Sequence, residues 1–304
     1  MAKGKTEQTQ EEQDGNWYVL VWGLPRPAEP LSLAPGITLR PLTSPLSVFD
    51  LAAAGAVGFR SWAVLEPVAR GCSCEIESAK DTATLPGYDT LNRAWLATSL
   101  LVLRGYTQQM CVACSAYSWN LIAGHQKIST EQLPTFRGDL LDFHLKLQLN
   151  YNAQKGPLTP TDASWVNGHF PTFNKLASES ESFRFALEAA VDWRYAKDAR
   201  AAVSRLWSGI EALFGIKSEL VYRISLYCAC LQAKRGDERI KKFHQVKELY
   251  DLRSKAVHGA ALSDEKMASA LNYSFELLSG LLISTISCGR IPTSDDLDHA
   301  VFGE

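Results

Sequence analysis

The chain has 304 residues, a formal net charge of −2, and 46% apolar against 21% charged residues. That composition supplies a sizeable core and enough length for two domains. It excludes a polyanion binder that works through overall charge, so any nucleic-acid surface has to be local.

The opening "MAKGKTEQTQEEQDGN" is polar and lacks the apolar core of a secretory signal, so residues 1–16 are expected as a disordered tail. No run approaches the ~20 apolar residues that cross a bilayer, so no membrane partner is expected. "LLSGLLISTIS", the nearest, is short, interrupted by Ser and Gly, and expected as buried helix. Seven cysteines, an odd number, with no export signal suit reduced thiols in a cytoplasm.

Residues 17–155 read as a β-rich α+β domain built around antiparallel sheet, with no role assigned to it. "NWYVLVWGL" is β-branched and aromatic, as a strand requires. "PRPAEPLSLAPG" has four prolines, which remove donors and fix φ, and is expected to be irregular. "SWAVLEPVA" is a second strand candidate. "YDTLNRAWLATSLLVLRG" has Leu91, Trp95, Leu96, Leu100 and Leu103 at helical spacing and stops at Gly105. "MCVACSAYSWNLIAG" follows as a strand. In "LDFHLKLQLNY" six apolar residues alternate with polar ones, which puts one face in a core and His144 on the water side.

Cys72, Cys74, Cys111 and Cys114 together have the count of a zinc site. Residues three apart on a strand face opposite ways, so these thiols are read as small buried hydrophobes, with no metal or cofactor expected. Trp95, Trp119 and Trp165 are read as core side chains rather than a ligand surface.

After the turn-rich "NAQKGPLTPTDAS" the period becomes 3.6, and residues 158–290 are expected to form an all-α bundle of about five helices, followed by a tail over 291–304. The first helix places Phe183, Leu187, Ala190 and Val191 on one stripe behind a serine cap. The second carries Ala202, Leu206, Ile210, Leu213 and Phe214 and ends at Gly215. A third runs to Gly236. The fourth contains "ELYDLRSKAVHGAALSDE", and the fifth starts behind Ser263.

Within that fourth helix Arg253 and His258 stand five residues apart. Five residues are about 500° of rotation, so the two share no helix face, and Gly259 is expected to end the helix between them and the next segment. A histidine at a helix C-terminus also suits the dipole, which is the plain structural reading of His258. The stretch from Lys217 to His258 nevertheless carries ten basic and five acidic residues inside a chain of net charge −2. The pair also has the chemistry of metal-free RNA cleavage. A histidine exchanges the 2′-OH proton near neutral pH, and an arginine fork offsets charge on a pentacoordinate phosphate.

"RLWSGIEALFG" (205–215), followed about forty residues later by "LYDLRSKAVHG", resembles the HEPN superfamily, in particular its Apea-like branch, over roughly residues 158–290. The resemblance implies a helical bundle that dimerises through that bundle and sets R-x4-6-H residues from two protomers around one cleft. Active members are metal-independent endoribonucleases. By motif position, Arg253 is expected to clamp the scissile phosphate and His258 to act as general base or acid, with Glu211 and Ser254 behind them. Lys255, Lys247 and Arg223 are the expected RNA contacts. Ser254 stands where active members often carry Asn or Asp, and Ala260 stands where some toxins carry a tyrosine that an antitoxin modifies.

The resulting expectation is a cytoplasmic endoribonuclease acting as a toxin or phage-defence effector. A non-catalytic nucleotide-, RNA- or protein-binding module is the alternative, and a purely structural bundle the third reading.

Overall fold

The computed structural model describes residues 16–53, 62–80, 88–115, 117–123, 156–216, 220–259 and 262–303. The chain divides into two compact units. Of the described residues, the first takes those up to Leu101 and those from Gln108 to Pro171, and the second takes Val102–Thr107 and those from Thr172 on. The division therefore falls inside a helix rather than in the turn-rich segment before it.

The first unit is built on a five-stranded sheet, every pairing antiparallel, in the order β2-β3-β4-β1-β5. The strands are β1 (Trp17–Trp22), β2 (Leu31–Ala34), β3 (Ile37–Pro41), β4 (Cys72–Ser78) and β5 (Met110–Ser115). Val19, Leu20 and Val21 are all buried. Successive strand residues face opposite ways, so three buried in a row means that both faces of β1 are covered.

β2 lies within the segment expected to be irregular. Its four residues fall between Pro30 and Pro35, and it sits at the sheet edge, where flanking prolines interrupt no ladder. The stretch expected as a second strand is instead helix α2 (Trp62–Gly71), which follows the short α1 (Val48–Ala53). α3 (Thr90–Leu103) matches its expected span, and Leu96, Leu100 and Leu103 are buried.

Strand β5 stops at Ser115, short of its expected length, and the chain then makes a single helical turn, α4 (Trp119–Ile122). The cause is Glu75 of β4. It is fully buried and accepts hydrogen bonds from Ser118 Oγ (2.7 Å), Trp119 N (2.6 Å) and Asn120 Nδ2 (3.1 Å). The carboxylate takes the Trp119 backbone N–H, an orphan donor of the first helical turn, while the two side-chain donors hold that turn against β4. Burial pushes the Glu75 carboxyl above its ordinary range, and the three donors only partly oppose this. The strand expected over "LDFHLKLQLNY", with His144, lies outside the described residues, as does the N-terminal stretch up to residue 15.

α5 (Pro160–Glu179) follows the turn-rich segment, over a stretch where no helix was expected. Then come α6 (Glu181–Asp192), a 3-10 turn at Trp193–Tyr195, α7 (Ala199–Phe214), α8 (Leu220–Gln232), α9 (Asp237–Val257) and α10 (Asp264–Cys288). Local chemistry fixes their ends. Ser180, Asp198 and Ser263 each accept a backbone N–H of the first turn, and α7 stops at Gly215 with φ +61°. The predicted stripe of α6 is buried at all four positions, as are Ala202, Leu206, Ile210 and Leu213 of α7. Gly209 lets α7 approach its neighbours: a Cβ there would lie 2.7 Å from Ala189 Cβ and 3.0 Å from Leu278 Cδ2. The segment expected as a tail carries a further helix, α11 (Ser294–Phe302), opened by a capping box between Thr293 and Asp296. No described helix is long and apolar enough to cross a membrane.

Candidate functional site

The site region is the last two turns of α9 and the face of α7 against them. On α9 the buried residues are Val246, Leu249, Tyr250 and Ala256, a stripe at three- and four-residue spacing. Arg253 falls inside that stripe, between Tyr250 and Ala256. A guanidinium on a packing face needs an anionic partner, and α7 supplies one. Arg253 Nη2 lies 3.2 Å from Glu211 Oε1, the two side chains being 19% and 26% exposed. The guanidinium carbon also stands 5.4 Å from the Tyr250 ring centroid.

Behind this pair the packing is aromatic. Tyr250 meets Trp207 edge-on at 5.0 Å, and Trp207 Nε1 donates to Ser274 Oγ on α10 at 3.0 Å. Burial raises the Tyr250 phenol, the Glu211 charge and hydrogen bond raise it further, and Arg253 opposes them. Tyr250, Glu211 and Arg253 thus form one electrostatic unit. It is incompletely bonded: Arg253 Nε and Glu211 Oε1 are shut off from solvent and neither makes an aligned hydrogen bond.

His258 is placed differently. The helix ends at Val257, His258 is its C-cap, and Gly259 takes φ +79°. The His258 backbone N–H donates to Ser254 O at 3.0 Å, while its ring is exposed. At 100° per residue His258 points about 140° away from Arg253. Lys247 and Lys255 are also exposed, and on the same count they fall on the His258 side of the helix rather than on the Arg253 side. Asp251 and Glu248 interleave with them, which dilutes the positive stripe. Arg223, the third expected RNA contact, is half-buried on α8, where Nη2 donates to Tyr227 Oη (3.1 Å) and the guanidinium lies over the same ring.

The structure therefore joins Arg253 to Glu211 within one chain, and leaves His258 with the lysines on the solvent side. It also adds a residue that sequence reasoning missed. Arg200, in the first turn of α7, donates from Nη1 to Ala256 O at 2.8 Å and so caps the C-terminal end of α9 next to His258. An arginine in a first turn opposes the helix dipole, and that misfit just after the Asp198 cap was the available signal.

Among the described residues no three His, Cys, Asp or Glu side chains cluster as metal ligands. Cys72, Cys74 and Cys114 are buried, and burial pushes the Cys72 thiol well up and the Cys74 thiol to about 12, so those two are poor thiolates. Trp119 is fully buried, and Trp95 and Trp165 are half-buried. No family model, curated protein or solved structure matches the chain.

Proposed function

We propose that this chain is a metal-independent endoribonuclease of HEPN type that works as a homodimer paired through its helical bundle. The observation that carries the reading is the anchoring of Arg253. Glu211 and Tyr250 hold the guanidinium in one place at the end of a helix whose C-cap is an exposed histidine. Glu211 lies against Nη2 and Arg253 Nε is shut off from solvent, so a phosphate would be met by the remaining Nη N–H groups of the fork.

In this reading the divergence of Arg253 and His258 within a chain is what a two-fold site needs. Symmetry brings a second copy of each to the same cleft, so one protomer's histidine faces the other's arginine. The reaction is an internal transesterification. His258 of one protomer takes the 2′-OH proton, the 2′-oxygen attacks the phosphorus, and the P–O5′ bond breaks. The second His258, protonated, gives its proton to the departing 5′-oxygen. Arg253 offsets charge on the non-bridging oxygens as it grows, and Glu211 positions Arg253. Lys247 and Lys255, on the His258 side, steer the RNA backbone.

The test is product chemistry. RNA incubated with the protein in EDTA is expected to yield 2′,3′-cyclic phosphate and 5′-hydroxyl ends, while the same sequence as DNA stays intact. Equal cutting of DNA, or a requirement for added Mg²⁺, contradicts the mechanism.

The burial of Arg253 favours one other reading. A guanidinium four-fifths covered and ion-paired is also what a purely packing role requires, with the same surface binding RNA without cutting it. In that case wild type and His258→Ala show the same background cleavage, and only retention of RNA separates them.

A further inference from the structure

A concave feature lies away from the arginine–histidine region, between α8, α9 and α11. It is a groove of about 460 Å³, within the size range of small-molecule sites. Its lining includes Tyr222 and Cys230 from α8, Ile240 and Phe243 from α9, and the arginines Arg235 and Arg239. No acidic residue lines it.

Two features make this more than a gap between helices. The first is apolar surface left in water: Tyr222 is 59% and Ile240 57% exposed, and Phe243 meets Tyr222 edge-on at 5.6 Å. The result is an aromatic wall onto which a further ring can pack in the same edge-to-face geometry. The second is the fixed pair of cations. Arg239 donates from Nε to Ala233 O (3.4 Å) and from Nη1 to Ala300 O (2.8 Å), and Arg235 donates from Nη1 to Gly303 O. These backbone acceptors carry no formal charge, so they hold both guanidiniums in place without neutralising them. Ordering of two long side chains, ordinarily a cost of anion binding, is thus already met by the fold. The Cys230 thiol reports the field inside: burial raises it, and Arg239 and Arg235 both pull it down.

We propose that this groove binds a small aromatic carboxylate. The ring lies against Tyr222, Ile240 and Phe243, and the carboxylate accepts hydrogen bonds from the Arg235 and Arg239 guanidiniums. An apolar body with one negative end matches the groove. A neutral ring leaves the two charges unanswered, and a polyanion has no use for the wall.

The test uses the full-length protein, 2-naphthoate, and 2-naphthalenemethanol as the uncharged match in size. Titration calorimetry is expected to show naphthoate binding at least tenfold tighter than the alcohol. Arg239→Met should remove that preference and Ile240→Asp should abolish binding, both with unchanged far-UV circular dichroism. Because either variant can unseat α11, amide chemical shifts of the wild type serve as the independent measurement. Naphthoate should move resonances of residues 222–230 and 235–243 and leave those around Arg253 and His258 in place. Equal binding of acid and alcohol, no binding, or shifts centred elsewhere overturns the proposal. So does a response of the groove resonances to protein concentration instead of naphthoate, which marks a second copy as the occupant.

Discussion

Arg253 illustrates how burial changes what a charged side chain is worth. A freely exposed arginine removed to alanine costs little, on the order of 1 kcal/mol or less. At 19% exposure, paired with Glu211 and over Tyr250, it belongs between the surface and buried regimes. Glu211→Gln and Arg253→Ala are each expected to destabilise the helical unit by about 1–3 kcal/mol in urea unfolding. The double variant should lose less than the sum, because each single change strands the other partner. His258→Ala should shift stability by under about 0.5 kcal/mol, since its ring is exposed and its backbone forms the cap. A larger loss would mean that the ring packs within the fold.

Glu75 carries a pH prediction of definite sign. Its carboxyl is raised in the folded chain, so folding favours its protonated form. The stability this contributes is fully present below the unfolded carboxylate range and is lost as pH rises through the raised value. Wild type should therefore lose stability relative to Glu75→Gln as pH climbs above the ordinary glutamate range of about 4. Glutamine should still be the less stable at neutral pH, by about 1–3 kcal/mol. Its single acceptor oxygen cannot serve Ser118, Trp119 and Asn120 together, and its own N–H groups gain no partner. A parallel pH dependence of the two proteins would show that Glu75 titrates normally.

At the level of elements, packing between helices sets the tightest constraint. Gly209 of α7 leaves no room for a side chain, with Ala189 Cβ at 2.7 Å from the site of an added Cβ. Gly209→Val is expected to cost at least about 1–3 kcal/mol, read as a lower urea midpoint at unchanged slope. The five expected helices of the C-terminal half were legible because their stripes and caps agree: Ser180, Asp198 and Ser263 precede runs with a 3.6-residue period. What the sequence hid was settled by partners far along the chain. α2 contains Pro67 and a β-branched, aromatic opening, both local marks against a helix. β2 is a strand only because β3 pairs with it. The end of β5 is set by Glu75, some forty residues earlier. α11 is short, and its capping box depends on Asp296, which Arg290 also grips, so "PTSDDLDHAVF" reads locally as a polar tail. Of the candidate site, Arg253, His258 and Glu211 were legible from motif and spacing. The split of the lysines onto the His258 side follows from 100° per residue along the helix, whereas Arg200 showed only as a first-turn arginine and its arrival at Ala256 depends on where two helices cross.

For the whole molecule the account rests on assembly. One chain holds Arg253 against Glu211 and turns His258 the other way, so a cleft with both groups on one phosphate requires two chains. Because the reaction uses both copies of His258, mixing wild type with an excess of His258→Ala protein, with time for subunit exchange, should lower the activity below that of the same amount of wild type alone. Sedimentation should report a dimer under the same conditions. The most direct measurement is cleavage of a single-stranded RNA in EDTA by wild type and by His258→Ala at equal concentration. The account predicts cutting by the wild type, at least a hundredfold slower cutting by the variant, and cyclic phosphate ends. Equal rates for the two proteins would contradict it.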